Sequence, residues 1–299
     1  MGVFFPQIGQ YGRLGNQLFQ YAAGRSLALS HNTNLYMFDP SSLEWHGQKC
    51  LLDNFNIKVK HMSQKRSNLH GEEFGKWVPR SPTMDWTTWH EPNPFVVEKD
   101  FFNLPNNITI NGFFQSTYYF KPYEEIIKKE LTPLKNTSDR VEEIRNSTGK
   151  EVVSIHVRRG DNTDWTDPAQ RKLRAMYDED GVYTRYVRKA ISTFKDVQFL
   201  VFTGGARGAA DNSEDIAWCK NFFQGKKFMF AEGGSSLSDF SDIMSCDHNI
   251  IGHVSSFGWW AAFLNSNPNK VVVAPKNYHP DIPNFTHRFM FYPEDWILI

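Results

Sequence analysis

From Val152 onward the chain alternates short apolar or β-branched runs with amphipathic stretches. Val152–Val157, Gln198–Thr203, Lys227–Ala231, His248–Ile251 and Lys270–Ala274 each read as a buried strand. Between them, Gly181–Phe194 puts Val182, Tyr186, Val187, Ala190, Ile191 and Phe194 on one helical face. Ser213–Phe223 and Ser236–Cys246 open on a serine with acidic residues close behind, as a helix start prefers. Alternation of this kind predicts a parallel α/β sheet, whose ligands sit beyond the carboxyl ends of the strands. The first half is less regular. Gln17–Ser30 reads as one helix, residues 60–95 as an extended loop rich in Pro, Gly and Trp, and Glu124–Asn146 as a charged helical stretch broken by Pro133.

A length of 299 residues suggests two domains, with one large domain as the alternative. Hydrophobic residues at 40% and charged residues at 22% exclude a disordered chain. Lys+Arg and Asp+Glu balance at 33 each, which argues against a basic nucleic-acid binder but leaves room for a local cationic pocket. The many aromatics (Phe 25, Tyr 11, Trp 9) read first as packing rather than as stacking surfaces for sugars or bases. Cys50, Cys219 and Cys246 have no paired spacing, so neither a disulfide framework nor a standard zinc site is expected. No apolar run reaches the roughly 18 residues of a membrane helix, and no signal-peptide pattern opens the chain, so a soluble protein is expected.

The P-loop, dinucleotide, zinc-protease and serine-hydrolase signatures are all missing. Two glycine turns remain. Gly12-Arg13-Leu14-Gly15-Asn16 precedes the first helix and is either a close backbone approach to a ligand or a tight turn capped by Asn16. Gly204–Gly208 reads as a plain loop. His156-Val157-Arg158-Arg159-Gly160-Asp161 ends the Val152 strand, with His156 and Arg158 on one side and Val157 on the other. Two arginines at a strand's carboxyl end suit a diphosphate clamp, and the bland counterpart is a surface ion pair between Arg159 and Asp161. Ser255 and Ser256, where a helix begins, would also suit a phosphate, whereas Trp259 and Trp260 read as packing. Asp178-Glu179-Asp180 has the form of a metal-holding D-x-D, but solvated charge at a helix start explains it better. The sequons at Asn107, Asn136, Asn146 and Asn284 do not establish a secretory route.

Gly12–Ala22, His156–Asp161, Asp239–Ile251 and Ser255–Ala262 together resemble the motifs of the α-1,2-fucosyltransferases, glycosyltransferase family 11. The resemblance spans residues 12–262. It implies two Rossmann-like domains of the glycosyltransferase-B type, 1–149 on the acceptor side and 150–299 binding a GDP-sugar. It also implies GDP-β-L-fucose as donor, no metal or other cofactor, and inverting transfer to the 2-hydroxyl of a galactose-terminated oligosaccharide. Carried over by position, Arg158 binds the donor diphosphate and stabilises departing GDP, with His156 and Arg159 supporting that pocket. Asp239 lies near guanine or ribose, and Ser255, Ser256 and Phe257 line the phosphate side. Gly15 and Asn16, at the first glycine turn, face the donor.

Two departures stand out. Gly252-His253-Val254 adds a residue before the serines, and Gly258 stands where many bacterial members have Ser, which is closer to animal members. A fixed guanidinium can stabilise charge developing on the β-phosphate without a metal. Asp161 is a candidate beside the motif, but the base that inversion requires stays unassigned. The alternatives are a different acceptor, another GDP-sugar, a carbohydrate-binding relative without turnover, and a metal-dependent transferase using Asp178 and Asp180. No nucleic-acid partner is expected. A bacterial or viral source would place the protein in the cytoplasm, and a eukaryotic one at the Golgi.

Overall fold

The computed structural model describes residues 1–45, 48–62, 87–94, 96–135, 138–163, 174–204, 212–277 and 291–299. It divides into two compact units, Met1–Leu134 with Phe289–Tyr292 and Lys135–Arg288 with Pro293–Ile299. Among the described residues each contains a parallel sheet with helices in its connections, so the fold class is α/β with two Rossmann-like units.

The second unit follows its hydrophobic pattern closely. Its strands are β8 (Val152–Val157), β9 (Gln198–Thr203), β10 (Phe228–Phe230), β11 (His248–Ile250), β12 (Val272–Ala274) and β13 (Ile297–Leu298). They lie in the order β10-β9-β8-β11-β12-β13, with β8 paired to β9 on one side and β11 on the other. Chain order therefore reverses between β8 and β11. In such sheets the crevice at the reversal, outside the carboxyl ends, is where ligands bind.

β8 is buried along its whole length, which explains its unbroken apolar character. Its Val153, Ile155 and Val157 pack against Tyr183, Val187 and Ala190 of the helix Val182–Ile191, and against Cys219 and Phe223. On the opposite face Ser154 and Asn249 form a buried polar pair. Asn249 Nδ2 donates to Ser154 Oγ at 2.8 Å and to the Ile243 carbonyl at 2.8 Å, while its Oδ1 accepts from Asn265 at 2.9 Å. Complete hydrogen bonding makes this buried amide tolerable and fixes β11 on the helix before it.

The first unit differs from its sequence-based expectation. Among the described residues its five parallel strands are β1 (Gly2–Phe4), β2 (Asn34–Phe38), β5 (Lys60–Met62), β6 (Thr87–His90) and β7 (Ile108–Asn111), in the order β5-β2-β1-β7-β6. A two-residue hairpin, β3 (Glu44–Trp45) and β4 (Gln48–Lys49), lies outside this sheet. The stretch expected as a loop thus supplies two strands at its ends. Strands of three to five residues are too short to show a period, and only pairing with neighbours makes them strands.

Helix α1 runs from Leu14 to Ser30, starting three residues earlier than expected. Gly12 at φ +89° turns the chain, and Arg13 occupies the N-cap in extended conformation, so Asn16 sits inside the first turn and is not the cap. The charged stretch around Pro133 forms two helices, α2 (Glu124–Glu130) and α3 (Arg140–Thr148), the latter closed by Gly149 in left-handed conformation. All three cysteines are free and buried. Among the described residues, no helix is long and apolar enough to cross a membrane.

Candidate active site

The carboxyl end of β8 gathers most of the singled-out residues in the second unit. His156 is 7% exposed, and its ring lies 5.6 Å from that of Phe257. A Cβ placed on Gly258 would sit 3.0 Å from His156 Nδ1, so a side chain there would press on the imidazole. Close approach to His156 thus favours glycine at position 258. Nδ1 has no hydrogen-bond partner among the described residues. Burial, with a smaller push from Arg158, holds the imidazole down to about 3, so His156 is neutral at physiological pH.

The two adjacent arginines have different surroundings. Arg159 Nε donates to Asp215 Oδ1 at 3.0 Å, and the second carboxylate oxygen accepts from the Gly160 N–H at 3.0 Å. The same guanidinium lies 4.6 Å from the Trp218 ring centre and 5.3 Å from that of Tyr177. Asp215 and Trp218 belong to the helix Ser213–Phe222. Arg158 is half-buried, and its Nη1 donates weakly to the Gly204 carbonyl at 3.4 Å. Its own carbonyl accepts from Tyr177 Oη–H. Arg159 is therefore clasped, and that clasp shapes the turn that presents Arg158. Asp161 lies in the 3-10 turn Gly160–Thr163, with its side chain outside the described residues, as are residues 205–210 of the second glycine loop.

Two further helices, Ser236–Ser245 and Ser256–Leu264, complete this end of the sheet. Ser255 is buried and caps the second, its Oγ accepting from the Gly258 N–H at 3.1 Å. Its hydroxyl oxygen thus serves the helix, while Ser256 and Phe257 stand half-buried on the first turn. Trp259 and Trp260 are fully buried packing. Asp239 shares Arg140 with Asp242, at 3.5 and 3.1 Å. Burial chiefly, with Asp242 adding to it, raises the Asp239 carboxyl to about 6 against the pull of Arg140. Its neighbour Phe240 meets Phe257 at 5.3 Å, which links Asp239 through packed rings to His156.

Asn16 and Gly15 belong to the first turn of α1 in the first unit, where Gln115 Nε2 donates to Asn16 Oδ1 at 2.8 Å. Asp178, Glu179 and Asp180 are exposed on the turn before the Val182 helix, and the Asp178 and Glu179 carbonyls accept from Thr184 Oγ1 at 2.8 and 3.1 Å. Among the described residues no group of three His, Cys, Asp or Glu side chains could hold a metal ion.

The sequence model of the family described as glycosyl transferase family 11 matches residues 6–299, which takes in both units and every residue above. The chain belongs to glycosyl transferase family 11. It is 25% identical to an α-1,2-colitosyltransferase of Escherichia coli over 96% of each chain. It is 24% identical to the galactoside 2-α-L-fucosyltransferase SEC1 of Bos taurus over 98% of this chain and 71% of that one. The solved structure of the NodZ α-1,6-fucosyltransferase aligns with a TM-score of 0.46 at 14% identity, covering 90% of this chain and 97% of that one.

In this family 11 glycosyltransferase, Asp215, Trp218, Tyr177 and Arg140 escaped the sequence reading. Asp215 looks like ordinary helix-start charge, and its partner Arg159 lies 56 residues away with no spacing to connect them. Asp215→Ala is expected to cost about 2–3 kcal/mol, because it strands a charged donor and the Gly160 N–H. Urea unfolding measures this, and an unchanged midpoint would reject the clasp.

Proposed function

We propose that this glycosyltransferase is a galactoside α-1,2-fucosyltransferase. It transfers L-fucose with inversion from GDP-β-L-fucose to the 2-hydroxyl of a terminal galactose. The observation that carries the proposal is Arg158, half-exposed at the carboxyl end of the central strand and at the reversal point of the second sheet. The α-1,2 linkage is favoured by two relatives from different kingdoms that both carry it in their names.

On this reading the second unit holds the donor. Cleavage of the sugar–phosphate bond leaves negative charge on the β-phosphate while the sugar becomes oxocarbenium-like. The Arg158 guanidinium stabilises that charge. Arg159 does so indirectly, since Asp215 fixes it and it shapes the turn. Neutral His156 packs the floor of the site, and Ser256 and Phe257 on the helix start offer N–H groups to phosphate oxygens. Asp239 serves the guanosine end. The first unit serves the acceptor side, and its Gly15 and Asn16 bind the donor. No step calls for a metal, and Asp178 and Asp180 have no part.

GDP release from GDP-L-fucose, with and without lactose or N-acetyllactosamine and in EDTA, tests this. Galactoside-stimulated release giving an α-1,2-linked product is expected. Faster turnover of GDP-colitose, whose sugar lacks the 3-hydroxyl, would overturn the donor assignment; the bacterial relative is named for colitose transfer. Release abolished by EDTA and restored by Mn²⁺ would overturn the metal-free mechanism.

A further inference from the structure

We propose that Tyr11 and Phe113 form a sugar platform in the first unit, on which the terminal galactose of the acceptor lies by its C–H face while neighbouring amides take its hydroxyls; this rests on reading the chain as a galactoside fucosyltransferase. In the first sheet β1 lies between β2 and β7, so chain order reverses between β1 and β7. The segments leaving the carboxyl ends of those two strands border the crevice in which parallel sheets bind ligands. Tyr11 belongs to the first segment and Phe113 to the second. Their rings meet at 5.9 Å with an interplanar angle of 48°, and both residues are only half-buried.

The turn after β7 presents Phe113 at the cost of backbone strain. Phe114 takes φ +52°, a left-handed conformation that bulky side chains rarely adopt. Its ring is fully buried, 5.5 Å from Phe5 and 5.3 Å from Phe101, whereas Phe113 stays half-exposed. Glu91 holds the turn, its Oε2 accepting from the Phe113 N–H at 2.7 Å and the Phe114 N–H at 3.1 Å. Gly112 is required there, because a Cβ on it would sit 2.5 Å from Glu91 Cβ. Strain that the surroundings hold in place gathers at ligand clamps.

Two half-buried amides belong to the same set of contacts. The Gly112 N–H donates to Gln7 Oε1 at 2.9 Å, which leaves the Gln7 NH₂ group without a partner among the described residues. Gln115 Nε2 donates to Asn16 Oδ1 at 2.8 Å, which leaves Gln115 Oε1 open in the same way. Each amide is held by one end and offers the other, one as donor and one as acceptor. A sugar hydroxyl can meet both. Rings beside a few fixed polar groups suit a neutral ligand with an apolar face and a hydroxylated rim. A β-galactoside is such a ligand, because its axial 4-hydroxyl leaves the hydrogens of C3, C4 and C5 together on the opposite face. In a β-glucoside the C4 hydrogen moves to the other face.

The test measures KM and kcat with lactose and GDP-L-fucose for the wild type, Phe113→Ala and Tyr11→Ala. Saturation-transfer NMR of methyl β-D-galactoside, without donor, reads binding directly. Each substitution should raise the lactose KM about 10- to 100-fold, the loss expected when a ring leaves a contact. The loss should fall on KM rather than kcat, with KM for GDP-L-fucose near wild type. Saturation in the wild type should be strongest at H3, H4 and H5, weaker for methyl β-D-glucoside, and reduced in both variants. An unchanged lactose KM in the folded variants, or a rise confined to GDP-L-fucose, overturns the platform alone. If neither variant folds, wild-type saturation that is no stronger at H3, H4 and H5 than elsewhere overturns it. A wild type that transfers nothing from a GDP-sugar to galactosides overturns the proposed function, while galactoside binding that both variants lose still upholds the platform.

Discussion

On the proposed function, Arg158→Ala is expected to lower fucosyl transfer about 10²–10³-fold, the usual cost of losing one preorganised contact to developing charge. The melting temperature should stay near wild type. Residue 158 lies just past the last residue of β8, so the substitution leaves strand pairing intact. Its carbonyl still accepts from Tyr177, and the Asp215 clasp on Arg159 and Gly160 is untouched. The contact with the Gly204 carbonyl is a weak one at 3.4 Å. Arg158→Lys should fall between the two, because an ammonium keeps the charge but not the bidentate geometry. The checks are GDP release under saturating donor and a thermal melt. Turnover close to wild type in the folded alanine variant would remove Arg158 from the mechanism.

Glu130→Ala should destabilise the first unit by about 3–5 kcal/mol, the range for removing one member of a buried ion pair. Glu130 is 6% exposed and accepts from Tyr21 Oη–H at 2.5 Å and from Arg25 Nε and Nη2 at 3.1 and 2.9 Å. Tyr21 is fully buried on α1, and its phenol oxygen accepts the Lys58 N–H at 2.9 Å. Truncation strands a guanidinium and a buried hydroxyl together and loosens α1 from α2. Tyr21→Phe, which removes only the hydroxyl, should cost about 1–3 kcal/mol. Urea unfolding followed by circular dichroism measures both. A loss below about 1 kcal/mol for Glu130→Ala would mean that Arg25 and Tyr21 find other partners.

The site residues were legible to different depths. His156 and Arg158 could be placed because β8 is six residues of buried strand, and alternation carries past its end. Ser255, a phosphate-side candidate in the sequence, caps its own helix through its oxygen and keeps its hydroxyl proton to donate. Arg159 and Arg158 are indistinguishable as letters, and only the helix carrying Asp215 and Trp218 separates their roles. In the first unit, β6 ends at His90 within the stretch expected as loop, where no periodicity marks the end of a strand.

The sequence by itself determined the alternating α/β build of the second unit, the strand end that carries the candidate site, and the motifs of the family. These are local properties, written in periods of two and 3.6 residues or in contiguous letters. Only the tertiary structure decided the parallel sheet of the first unit, the pairing of Arg159 with Asp215, and the close approach of Gly258 to His156. Each depends on groups far apart along the chain, and on whether a charge has a partner once water has been removed.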